Sequence, residues 1–127
     1  MRVIFCGQVP KDSSYPEANE DVFEIAENEC CLAVSDGASE SFDSKTWAQL
    51  LVRSFVKNPI LNSSSLSDAI VAYNAKYDLS KLSWSKQAAF ARGSFATLLG
   101  LEVSSSQTVV DLLSVGDSLA VLLCDGK

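Results

Sequence analysis

The sequence predicts an α+β domain in which antiparallel strands carry helices on a face. Three observations predict it. Apolar residues alternate at Phe23 and Ile25 and again at Leu32 and Val34, and the last third of the chain has the same sheet character. Between these stretches, residues 43 to 92 space their apolar side chains for helices. The resulting order is strands, helices, strands, with no internal repeat.

Taken in order, "RVIFCG" (residues 2–7) predicts a short strand, and "QVPKDSSYPEAN" is a polar loop punctuated by Pro10 and Pro16. "DVFEIAENECCLAVSD" predicts a hairpin with Asn28-Glu29 at its turn. That centre makes paired positions sum to 57, so Ile25 faces Leu32, Phe23 faces Val34, and Asp21 faces Asp36 one step further on. "DSKTWAQLLVRSFVKN" predicts a helix over 43–58, capped by Asp43 or Ser44, with Trp47, Leu50, Leu51 and Phe55 on its buried face and Pro59 beyond its end. A second helix is expected from Ser65, where Ser65-Leu66-Ser67-Asp68 resembles a capping box, with Leu66, Ile70, Tyr73 and Tyr77 as its stripe. Trp84 to Arg92 predicts a third, closed by Gly93, and both Trp47 and Trp84 are expected to be core or helix-packing residues. Strands follow in "SFATLLGLEV", "TVVDLLSVGDS" and "LAVLLC". Asp125-Gly126 after an apolar strand is a hairpin signal with no partner strand behind it, so the expectation is half of a domain, either cut or natural and paired with something else.

At 127 residues, 47% hydrophobic and 20% charged, the chain has the length and composition of one globular domain. Its net charge of −6 argues against nucleic acid as a partner, because phosphate backbones call for a basic surface. Histidine is absent, which excludes Ser-His-Asp and Cys-His catalysis and the usual zinc fingers. The four cysteines form no C-x-x-C and are expected to be reduced in a cytoplasmic protein. No run approaches the ~20 apolar residues of a membrane span, so no membrane partner is expected. Neither a P-loop nor a dinucleotide glycine motif is present.

The candidate chemistry lies in two short stretches, Asn19-Glu20-Asp21 and Ser35-Asp36-Gly37. Each by itself is a solvated loop or a turn at a strand end. In register across the predicted hairpin they bring two carboxylates face to face, and opposed like charges destabilise unless a cation offsets them. Carboxylates are hard oxygen ligands suited to magnesium or manganese, and Gly37 leaves its carbonyl unobstructed. Gly116-Asp117-Ser118 is a turn that also delivers an acid to a strand end. Asp111, among apolar neighbours, is assigned to an exposed face, and Gly93 to Thr97 to a helix stop followed by a strand start.

The ordered set "NED", hairpin, "VSDGASES", two helices, "GSFATLL" and "VGDS" resembles the metal-dependent serine/threonine phosphatases of the PP2C (PPM) family, most of all their bacterial members. The resemblance runs from about Val3 to Lys127 and covers the N-terminal half of the family's domain, so residues 1–127 are expected to be that half. It implies an antiparallel β-sandwich flanked by helices, incomplete at the C-terminus. It also implies two Mn2+ or Mg2+ ions, with a third served by Asp117. Asp36 would bridge the pair and Gly37 would bind through its carbonyl. Of Glu20 and Asp21, one would bind a metal and the other order its water. Asp21 and Asp36 are the implied catalytic residues. The implied partner is a phosphoprotein substrate, with a homodimer or a further partner covering the open sheet edge. The chain departs from the family at several points. Pro16 stands where many relatives have a phosphate-binding arginine, with Lys11 or Arg2 as substitutes. Ala38 replaces a histidine found in eukaryotic relatives, Ser39-Glu40 replaces a glycine pair, and Leu119 replaces the arginine after GDS. The family's later metal-binding aspartates have no counterpart here, so the chain alone is expected to be weak or inactive, or to be a binding module without catalysis.

Overall fold

The computed structural model describes residues 1–10, 12–106 and 108–123. Over these residues the chain is α+β, with one antiparallel four-stranded sheet and three α-helices. The strands are β1 (Val22–Ile25), β2 (Cys31–Ser35), β3 (Leu98–Val103) and β4 (Val110–Val115), and their order in the sheet is their order in the chain.

The β1–β2 hairpin forms in the predicted register: Phe23 pairs with Val34 and Ile25 with Leu32. A one-residue slip would turn every apolar side chain to the opposite face, which is why the pattern specifies the pairing. The loop closes through Glu29 N–H to the Ala26 carbonyl at 2.8 Å, and Glu29 takes a left-handed φ of 52°.

Between β2 and β3 the chain makes one long excursion. It begins and ends at a hydrogen bond from Ala38 N–H to the Phe95 carbonyl, 2.9 Å. Within it lie α1 (Ser44–Lys57), α2 (Ser63–Asn74) and α3 (Trp84–Arg92). Asp43 caps α1 by accepting from Thr46 N–H, and Lys57 sits in the last turn, where the helix dipole favours a cation. α2 starts earlier than expected. Asn62 is its cap and forms a reciprocal capping box with Ser65, so the expected start at Ser65 is corrected: a serine run offers several caps, and Asn62 is the one with extended backbone to act as one. Gly93 ends α3 at φ 94°, as the sequence indicates, and Ser83 caps its start.

α1 packs across β1, β2 and β3. Its buried residues are Ser44, Ala48, Leu51, Val52 and Phe55. Leu51 and Phe55 were expected there, whereas Trp47 and Leu50 lie half-buried on the flank. The sheet meets this helix through Cys31, Ala33 and Leu98. The Phe55 ring lies against Gly100 so closely that a Cβ there would stand 2.3 Å from it. Fully burying a side chain such as Val52 or Phe55 is worth about 1.5–3 kcal/mol. α2 and α3 join through an aromatic cluster of Phe42, Tyr73, Tyr77 and Phe90, with Trp47 edge-on to Tyr73. Ala69 and Tyr73 are the buried part of the α2 stripe. Ile70 is exposed, and Tyr77 lies past the helix end but inside the cluster.

Three expectations are corrected. Residues 2–7 form no strand. They run beside the hairpin through isolated contacts, such as Val3 N–H to the Glu29 carboxylate at 3.2 Å, and Ile4 and Phe5 stay exposed. Residues 119–123 form no strand either, and Leu119, Val121, Leu122 and Leu123 are exposed. An alternating apolar pattern becomes a strand only where a partner edge is in reach. Trp84, the first residue of α3, is exposed rather than packed and takes no part in the aromatic cluster described above. The hairpin signal at Asp125-Gly126 lies outside the described residues.

The face of the sheet opposite α1 carries Phe23, Ile25, Leu32, Val34, Leu99, Leu101, Val110 and Leu112 by strict alternation. Phe23, Val34, Val110 and Leu112 are exposed on it. Among the described residues, no second sheet covers this face.

Candidate functional site

The five acidic and glycine positions singled out in the sequence all lie at one end of the sheet. Asp21 precedes the start of β1, Asp36 and Gly37 follow the end of β2, and Asp117 follows β4. Glu20 reaches the same end from beside the start of α1.

Hydrogen bonds hold each acidic segment from its backbone or its neighbours. Asn19 Oδ1 accepts from Asp21 N–H at 3.2 Å, and Gln8 Nε2 donates to the Asp21 carbonyl at 2.8 Å. Lys45 Nζ on α1 donates to the Glu17 carbonyl at 2.8 Å, which fixes the short 3-10 turn Pro16–Ala18 ahead of the acids. Ser44 Oγ donates to Glu20 Oε1 at 2.7 Å, so the Glu20 carboxylate sits at the N-terminus of α1, where the dipole favours an anion. Gly37 fits between these groups. A Cβ on it would meet Ser44 Cβ and Oγ at 2.9 Å and the Glu20 carbonyl at 3.1 Å.

The β2–β3 ladder continues in register past the strand end, through the Gly37–Ala96 bridge. Thr97 N–H donates to the Asp36 carbonyl at 2.9 Å, and Ala38 N–H bonds the Phe95 carbonyl. In an antiparallel ladder the intervening residue turns its backbone groups the other way. Gly37 therefore turns its amide and carbonyl away from β3. Asp36 N–H donates instead to Thr97 Oγ1 at 2.9 Å, and Ser35 Oγ donates to the Thr97 carbonyl. Thr97 Oγ1 also lies 3.0 Å from Ser118 Oγ in the turn that carries Asp117. Among the described residues the buried polar side chains are Ser35 and Ser44, and both serve this rim.

The acids share cavities as well as an edge. Asp21 and Asp36 line a cavity of about 500 Å3 with Cys6, Gln8, Phe23 and Ser118. Asp36, Gly37 and Asp117 line a second of about 400 Å3. Lys45 and Asp21 face a third of about 210 Å3, beside Pro16. Asp21, Asp36 and Asp117 are exposed and Glu20 is half-buried. Asp111 is exposed, as expected, opposite Glu102.

As donors these groups suit a hard divalent cation, being carboxylates and one backbone carbonyl. Their convergence stops short of a complete site: among the described residues no group of three acidic, thiol or imidazole side chains is placed to hold an ion. Of the cations considered for phosphate, Arg2 lines none of these three cavities and Lys11 lies outside the described residues. Sequence spacing does not mark Lys45, Gln8, Ser44, Thr97 or Ser118 as parts of this rim. It marks Ser44 only as a helix cap and Thr97 only as the start of a strand. Among the described residues no helix is long and apolar enough to cross a membrane.

Comparison of the chain with models of known families, with curated proteins and with solved structures finds no match.

Proposed function

We propose that residues 1–127 supply the N-terminal half of a PP2C-like domain that hydrolyses phosphoserine and phosphothreonine in proteins with Mn2+ or Mg2+, and that this chain alone is a weak or inactive catalyst. The observation that carries the reading is the hairpin register. Its last pair, Val22 with Ser35, leaves Asp21 and Asp36 as the next residues of the two neighbouring segments at the rim, with Gly37 bridged to Ala96 beside them. The apolar face left bare by α1 supports the same reading, since a second sheet packed there would make the sandwich that the family resemblance implies.

In this reading Asp36, Asp21 and the Gly37 carbonyl would hold the cations, with Asp117 on the β4 turn beside them. The ions would supply an acidified water and offset charge on the phosphoryl oxygens. The chain's own contribution is positional. Ser44 and the α1 N-terminus direct the Glu20 carboxylate, while Lys45 is placed to attract an anionic substrate. A non-catalytic binding module is the second reading. It is favoured by the lack of three converging ligands among the described residues and by Pro16 in the place of the arginine.

Calorimetric titration with manganese chloride tests the proposal. The expected result is binding that Asp36→Asn abolishes. Absence of binding to the unmodified chain would refute the cation site. A phosphothreonine-peptide assay with and without EDTA then separates the two readings, because only an enzyme shows turnover that the chelator removes.

A further inference from the structure

We propose that Thr97 is a positioning residue that couples the two acidic turns of the rim, so that Asp36 and Asp117 are held as one unit. A single side chain makes both connections. Its Oγ1 accepts from Asp36 N–H at 2.9 Å and lies 3.0 Å from Ser118 Oγ. A hydroxyl has one proton and two acceptor lone pairs, so both bonds form together, with Thr97 accepting from Asp36 and sharing a proton with Ser118.

The backbone of Thr97 is committed to the same place. Its N–H bonds the Asp36 carbonyl, and its carbonyl accepts from Ser35 Oγ. Its methyl group packs against the second turn. Gly116 has φ 102°, and a Cβ there would stand 2.6 Å from Thr97 Cγ2 and 2.9 Å from its Cβ. Thr97 thus reaches Asp36 through three hydrogen bonds on and beside the β2 tip, and reaches Asp117 through its flanking residues Gly116 and Ser118. The strands that lead to the two acids, β2 and β4, are separated in the sheet by β3. Thr97 lies at the start of β3, between them, and a ligand drawn to one acid is therefore presented with the other.

The link to cation binding rests on the proposed function, and the experiment keeps the two apart. Amide NMR spectra and manganese titrations are compared for the full chain, Thr97→Val, Thr97→Ser and Ser118→Ala. Thr97→Val should shift the amide signals of both Asp36 and residues 116–118, and Thr97→Ser should restore them, because the hydroxyl does the coupling. Ser118→Ala, which leaves Thr97 and Asp36 intact, should still shift the Asp36 amide. Removing an outer partner of a metal ligand typically costs about 10–100-fold in affinity, so Thr97→Val should weaken manganese binding by at least about tenfold and Thr97→Ser should not. Shifts confined to Asp36, or a serine variant as perturbed as the valine one, would overturn the coupling. If the unmodified chain binds no manganese, the proposed function fails while the amide shifts still decide the role of Thr97.

Discussion

Gly37 shows how much one residue's size matters here. Its missing side chain lets the β2 tip, the start of α1 and the Glu20 carbonyl meet at van der Waals distance. Gly37→Ala should cost about 1–3 kcal/mol, as overpacking of a tight site does, read as a lower urea midpoint at unchanged slope. An unchanged midpoint would mean that the rim is looser than this. Thiols give a second residue-scale prediction. Cys6 is exposed and Cys31 is buried. Burial, and then the nearby charge of Glu102, hold the Cys31 thiol above its ordinary value of 9.0. An aromatic disulfide reagent at pH 8 should label Cys6 in the native protein well before Cys31, and the order should vanish in denaturant. The acids themselves were legible in the sequence, because each sits at the end of an apolar run. Their holders were not. Serine and threonine abound in this chain, and nothing in local spacing marks Ser44 or Thr97 as a contact with residues about 24 and 61 positions away.

At the scale of elements, α1 organises both core and rim. Asp43, at a left-handed φ of 40°, caps it and also accepts from the Tyr77 hydroxyl, so the cap ties α1 to the aromatic cluster. Asp43→Ala should destabilise by about 1 kcal/mol from the cap alone, with thermal unfolding as the measurement. The loss should grow in proportion to the contribution of the tyrosine bond. The double variant Asp43→Ala with Tyr77→Phe should then cost less than the sum of the single ones. The hairpin and the three helices were legible because each carries its own period and its own stop signal. Residues 2–7 and 119–123 show the limit. Their pattern suits a strand, but a strand needs an edge to pair with, and that is a property of the assembled fold rather than of the segment.

For the whole molecule the decisive asymmetry is between the two faces of the sheet. One is closed by α1, while the other presents Phe23, Val34, Val110 and Leu112 to solvent. The native protein should therefore bind a hydrophobic dye, and Leu112→Lys should reduce that signal without lowering helix content by circular dichroism. Dye binding unaffected by Leu112→Lys would place the dye elsewhere. Stability should also have an alkaline edge. Burial raises Cys31 from 9.0 and both Tyr73 and Tyr77 from 10.0. Groups raised on folding keep their full stabilising effect below those ordinary values. They lose it as pH climbs from there toward the folded values, because the unfolded chain releases its protons first. Melting temperature should accordingly be flat with respect to these groups at pH 8 and fall above about 9 to 10.

The hydrogen bond between Ala38 and Phe95 has one more implication. Three helices and their connections leave the sheet and return to it at a single point, so the helical layer is topologically an insert between two strands that are already neighbours. A distortion of that insert has two routes to the acids: the adjoining strand tips, one bearing Asp36 and the other Thr97, and the start of α1, where Ser44 holds Glu20.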